Sequence, residues 1–511
     1  MNRIVTVFLP CALGLALLWG AGTLHAPLLE ARRVHDLDHA EPLENAPPLV
    51  VFSTVALGGF SGIIADILWV RAAQLQMDGQ YFELVQLADW ITKLQPRFPE
   101  GWIYHAWNLS YNVSVMFPRP EDRWRWVRHG IELLRDGGLR YNPAHPTLHR
   151  ELGWLFQHKL GASMDQAHMF YKLAWALEME RIFDGRGPDY AALAQTPTSR
   201  TAVLQVPGMS ELLAQLREEG FEPFTYRWPE THRIPVMRNI MRDHEAGSVL
   251  LNHIRLRMMV DRYRLIPSRM QEIEAEHGPL DWRLPQAHAI YWAWSGLPHA
   301  DGFEEQMMSR MIFHSVSEAF QQGGFFYDPD EELFIPGPNP DLLPYAMRAL
   351  EEALEEFDDD AMRAAHMNFL NNAMIIMYTH HRIDEARNLF DLLHTHYPAE
   401  AEDRGFDQYV IELFTDRLDQ LGPQGVSAMI DEWLHQSHFW LALGDTDRAA
   451  GYDRLARQTW RLYMEPRLHD PDLRERTGLP PICDIRRRAL ERVRESLTTQ
   501  TARDRLRNGM E

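Results

Sequence analysis

Gly59 to Asn112, GFSGIIADILWVRAAQLQMDGQYFELVQLADWITKLQPRFPEGWIYHAWNLSYN, is the stretch whose reading decides the fold. Trp102, Ala106 and Leu109 repeat Leu68, Ala72 and Leu75 at an interval of 34 residues, which marks helical hairpins stacked in series. Between the copies, Gly79-Gln80-Tyr81 stands where such a hairpin needs a tight turn. Pro96 stands where the second helix must stop, because proline has no N–H to carry it on. One hairpin cannot bury its apolar stripe alone, so the stretch demands neighbours and predicts a helical solenoid. Such an array more often binds a partner than carries an active site.

The pattern weakens and returns. Tyr141-Asn142-Pro143 closes a helix that opens near Arg123, and Leu152-Gly153 with Phe156 restores a small packing residue and its aromatic neighbour. Ala167 and Ala174 supply a pair of small residues for the next helix. In NFLNNAMIIMYTHHRIDEARNLFDLLHTHYP, Glu385-Ala386 is followed by Phe390 and Pro398 at the spacing of a second helix and its stop. In MIDEWLHQSHFWLALGDTDRAAGYDRLARQTW, the order is Trp433, Trp440, Gly444-Asp445, Ala449 and Ala456.

On these residues the chain resembles the tetratricopeptide-repeat (TPR) family, in two blocks. Leu84 and Ile91 depart from it, standing where small residues are usual. The resemblance implies an all-α, TPR-like α-solenoid of antiparallel helix pairs whose concave face holds a protein or peptide partner. It implies no cofactor, metal or catalytic residue. With the apolar N-terminus, the phrases LADWITKLQPRFPEGW and GPLDWRLPQAHAIYWAW look like membrane-anchored bacterial repeat proteins of unassigned role, with envelope assembly as a setting.

Composition narrows the function classes. The chain has 511 residues, 45% of them hydrophobic, with 16 Trp and 23 Phe, which is the make-up of a folded protein. A formal net charge of -21 argues against a nucleic-acid or anionic-membrane surface over most of its length, since phosphate binding needs clustered cations. The cations are nearly all arginine; Lys93, Lys159 and Lys172 are the lysines. Cys11 and Cys483 form no disulfide framework and no CxxC pair, so structural zinc, iron–sulfur and c-type haem are not expected.

Order along the chain follows from apolar runs and breakers. Ile4 to Ala21 carries no charge and is just long enough, at about 1.5 Å per residue, to cross a hydrocarbon core of roughly 30 Å. Residues 1–25 therefore read as an N-terminal transmembrane signal anchor, and the charged, proline-bearing residues 26–48 as a spacer. A second run, Leu49 to Val70, is interrupted by Gly58, Gly59 and Gly62 and carries Asp66, which is costly in lipid. It reads as the lead-in to the first of the N-terminal TPR-like repeats, residues 49–184. Residues 185–344 read as a helical insertion or degenerate repeats, ending in a long loop at Gly323 to Pro344 that marks an internal boundary. C-terminal TPR-like repeats follow in 345–483. Residues 484–511 form a basic helix whose narrow apolar face (Ile485, Ala489, Val493, Leu497) suits a charged cap better than a membrane surface. The expected address is the cell inner membrane, crossed once, with the solenoid in the periplasm; the very short N-terminal flank is that of a secretory signal or anchor.

Chemistry has little to stand on. His244-Glu245 with His253 lacks the four-residue histidine spacing of a zincin helix. His380-His381 and the pair His394 and His396 read as surface histidines. Glu351-Glu352, Glu355-Glu356 and Asp358-Asp359-Asp360 read as a solvated helix face, lacking the alternating ligands and glycine of a calcium loop. The GG pairs at Gly58, Gly137 and Gly323 read as turns. Two functions remain: a non-enzymatic, membrane-tethered scaffold, or a carbohydrate-active enzyme on an (α/α) toroid with paired carboxylates in a Trp-lined cleft.

Overall fold

The computed structural model describes residues 61–229, 233–328, 333–356, 360–401, 404–414 and 422–510, with Gly20, Thr23, Pro27, Glu30 and Ala31 ahead of them. The expected anchor Ile4 to Ala21, the start of the second apolar run and the pair at Gly58 lie outside the described residues. Among the described residues, no helix is long and apolar enough to cross a membrane. The described residues are all-α apart from one β-hairpin. Two compact units divide it, residues 1–148 and 149–511.

In the first unit, helix α1 (Ser61–Met77) turns at Gly79 (φ +68°) into α2 (Tyr81–Leu94). The left-handed backbone at Gly79 is what the tight turn requires. Ala72, Leu75, Leu84, Leu87 and Ile91 bury together between the two helices, with Leu68, Trp69 and Tyr104 against them. α2 ends at Leu94, before Pro96, and α3 (Pro99–Trp107) opens on a proline that needs no N–H at its first turn. α3 runs on through a π turn (Asn108–Val113) and a 3-10 turn (Ser114–Met116). α4 (Pro120–Glu132) likewise continues through a π turn, Leu133–Gly138, to Tyr141. The Gly137-Gly138 pair is thus not a turn but a packing site inside a helix. A Cβ on Gly137 would meet the Trp102 ring at 2.4 Å.

The unit boundary falls within α5 (Pro146–Trp154), which passes into a π turn at Leu155–Gly161. α6 (His168–Phe183) follows, and its buried small residue is Ala176. Ala174 is half-buried and Ala167 precedes the helix, so the expected Ala167 and Ala174 pair is shifted in register. Short helices fill the next region: α7 (Tyr190–Gln195), α8 (Arg200–Leu204), α9 (Met209–Glu218), α10 (Ile234–Arg242), α11 (Gly247–Arg257) and α12 (Pro267–His277). α13 (Pro285–Gly296) is buried at nearly every position and packs on α14 (Gly302–Gln322) and on the π turn Leu155–Gly161.

The segment from Gly323 to Pro344 is not a long loop. It holds antiparallel strands β1 (Gly324–Asp328) and β2 (Leu333–Gly337), with Phe326 opposite Ile335, which corrects the expected loop. Then come α15 (Leu343–Glu356), α16 (Asp360–Thr379), α17 (Ile383–His396), α18 (Pro398–Ala401), α19 (Phe406–Phe414), α20 (Pro423–Leu443), α21 (Thr446–Leu468), α22 (Pro471–Thr477), α23 (Ile482–Ser496) and α24 (Gln500–Asn508). α16 pairs with α17, α20 with α21, and α23 and α24 both pack on α20.

Candidate functional site

The helix pair α20 and α21 carries the clearest of the spacings read from the sequence. Pro423 opens α20; Gly444, at φ +92°, ends it in the left-handed form that favours glycine. Asp445 then caps α21, its carboxylate accepting the Arg448 N–H at 3.0 Å. Trp433, Trp440, Ala449 and Ala456 are all buried in or beside the helix contact. Arg448 lies 4.3 Å over the Trp440 ring and pairs with Asp445 at 3.2 Å. Its Nε–H donates to His380 Nε2 at 2.8 Å, while His380 Nδ1–H donates to the Ile376 carbonyl at 2.7 Å. His380 is therefore half-buried and engaged, not a surface histidine. Burial first, then the Arg448 charge, pushes it down to about 4.

The hairpin rests on this pair. Phe326, Leu333 and Ile335 pack on the Trp440, Leu443 and Ala449 cluster, and the Phe326 and Trp440 rings meet edge to face at 5.8 Å. On another flank an open cleft of about 790 Å³ runs between the N-terminal half of α20 and α23, beside Gly478 and Pro480. Its walls carry Arg488, Glu491 and Glu495, with Arg492 bonded to Asp431 at 2.7 Å. The cleft thus presents both charge signs.

Interior charges form two further clusters that periodicity could not announce. Around the π turn Leu155–Gly161, Lys159 and Asp165 make a buried ion pair at 2.6 Å, and the Tyr171 hydroxyl donates to the same carboxylate at 3.2 Å. Burial pushes Asp165 up, but Lys159, the Ala167 N–H and Tyr171 more than reverse this and hold it low. Nearby, burial pushes the Lys172 ammonium down and the Glu318 carboxyl up, each offset in part by the other's charge. Two of the chain's lysines thus stand in one interior cluster, and their sequence signal was their rarity. In the second cluster, Trp282 Nε1–H donates to Glu274 at 2.6 Å and Asp281 holds Arg283 at 2.6 Å. Burial pushes Glu274 up to about 7, against the bonds from Trp282 and Leu280, with Asp281 adding repulsion.

The residues singled out from the sequence do not converge. His253 is fully buried between the Tyr226 hydroxyl (3.1 Å) and the Pro197 carbonyl (2.7 Å), while the His244 ring takes the Ala246 N–H at 3.2 Å. His381, His394 and His396 are exposed, as are Glu351, Glu352 and Asp360; Asp358 and Asp359 lie outside the described residues. Among the described residues no three His, Cys, Asp or Glu side chains could hold a metal ion. No protein-family model, curated protein or solved structure matches the chain.

Proposed function

We propose that the protein is a non-enzymatic, membrane-tethered scaffold of TPR-like helix pairs that holds a protein or peptide partner, with its folded part in the periplasm. The observation that carries this reading is the recurrence of one helix-pair design at separate places. Ala72, Ala106, Ala386, Ala449 and Ala456 are all buried at the small positions the repeat spacing assigns. Small residues there let two helix backbones approach closely, and stacking such pairs yields the concave, partner-binding face of a solenoid. The tether is the uncharged run Ile4 to Ala21.

The enzyme reading has less support. Glu274 and Asp281 flank Trp282 as a paired-carboxylate site would, but Trp282 is 0% exposed and offers no platform for a sugar ring. Asp281 is spent on Arg283. The test places a photo-crosslinking residue at Ala428, in the α20 and α23 cleft, and separately at the exposed Gln500. The expected result is a discrete adduct at Ala428 that Arg488→Glu with Arg492→Glu abolishes. Adducts at neither position, or the same ones at both, would overturn the reading.

A further inference from the structure

The first unit is unusual in what it leaves in solvent. Ile67, Val70, Met77, Phe82, Val115 and Met116 are all exposed large apolar residues within one short part of the chain. Ile67, Val70 and Met77 lie on one stripe of α1, a largely apolar helix whose exposed residues also include Asp66, Arg71 and Gln74. Met77 and Phe82 flank the Gly79 turn. The Phe82 ring meets Phe117 at 6.1 Å and Trp126 at 6.3 Å, and those two rings stack at 6.0 Å. This aromatic cluster adjoins the 3-10 turn Ser114–Met116, where Val115 and Met116 are about half exposed (50% and 48%). Arg123 fixes the turn's exit by donating to the Phe117 carbonyl at 2.6 Å.

Charge tells what such a patch meets. Between Val115 and Glu132 stand Arg119, Arg123, Arg125 and Arg128 against Glu121, Asp122 and Glu132, the last paired with Arg128 at 3.0 Å, in a chain whose net charge is -21. Arg119 and Arg125 are 72% and 78% exposed, and their contacts with Glu121 (3.5 Å) and Asp122 (3.3 Å) are surface pairs of little strength. Aliphatic tips, an aromatic collar and arginines around them form the pattern of a segment lying in a membrane interface.

We propose that the turn Ser114–Met116, with Phe82, Phe117 and Trp126, seats the first unit on an anionic phospholipid surface through the headgroup phosphates. This goes beyond the scaffold reading and needs no partner to be bound. The experiment uses the full chain in phosphatidylcholine vesicles with and without phosphatidylglycerol, on a Cys11→Ser, Cys483→Ser background. An environment-sensitive fluorophore is attached at Met116→Cys and, as a control, at Leu473→Cys on the second unit. Expected are a blue shift and strong quenching by spin-labelled lipid at position 116 alone. Both should diminish without phosphatidylglycerol and with Arg119→Glu plus Arg125→Glu. Position 116 behaving like 473 would overturn the proposal. So would a blue shift without lipid quenching, which means that protein covers the turn. Loss of the Ala428 adduct with lipid quenching at position 116 retained would count against the scaffold alone.

Discussion

Gly153 stands where a Cβ would meet Met311 Sδ at 2.7 Å and the Ala289 carbonyl at 3.2 Å. The sulfur can swing aside, whereas the carbonyl belongs to buried α13 and cannot. Gly153→Leu and Ala449→Leu should each cost on the order of 1 to 3 kcal/mol through overpacking, read as lowered thermal midpoints with partner binding retained at temperatures where the variants stay folded. Glu274 makes a prediction about pH. Its folded pKa is raised from the ordinary 4.5 to about 7, so its contribution to stability is complete below 4.5 and is lost as pH rises toward 7. His380 acts in the opposite sense: lowered from 6.5 to about 4, it stabilises above 6.5 and ceases to as pH falls toward 4. The difference between wild type and Glu274→Gln isolates the first effect. Melting curves across that range should show the variant losing less stability as pH rises from 4.5 to 7; parallel curves would sink the assignment.

Elements differed in how plainly the sequence announced them, and the reasons are local. The α20 and α21 pair was legible because its signals are short-range: a glycine for a left-handed residue, an aspartate to cap, tryptophans at a fixed spacing. The hairpin was not, because the proline, glycine and aspartate density of Gly323 to Pro344 suits a loop equally well. What makes the segment a hairpin is Phe326 finding Trp440, a contact between residues far apart in the chain. Phe326→Ala should therefore loosen the hairpin, at a cost of roughly 1 to 3 kcal/mol because the ring is only half-buried, and proteolysis within β1 and β2 should quicken while α20 and α21 stay protected. On α23, Ile485, Ala489 and Val493 are 0% exposed. Val493→Asp buries an unpaired charge and should release the C-terminal helices, whereas Arg488→Gln on the exposed face should shift stability by no more than about 0.5 kcal/mol. Hydrogen exchange over residues 482–508 distinguishes the two variants.

For the whole molecule, the interior clusters show why the candidate sites were hidden from the sequence. Lys159 and Asp165 are near in sequence, but the Lys172 charge acts on Glu318, and Glu180 meets Arg283, only once residues far apart in the chain have packed. Periodicity gives each helix a buried face without saying which partner that face will find. We propose the address from a simpler comparison between two apolar runs. Ile4 to Ala21 has no charge. Leu49 to Val70 carries Asp66 and three glycines, and its last residues belong to α1, where Ala65 and Ala72 are fully buried and Ala72 packs against α2. A helix committed to that core is not available to span lipid, so we predict a single crossing that leaves both units on the exported side. Reporters fused after Ala40 and after Glu511 should both be active in the periplasm. Export after Ala40 with a cytoplasmic reporter after Glu511 would require a second crossing through Leu49 to Val70, and α1 would then have to leave the Leu75, Leu84 and Ile91 cluster that it completes.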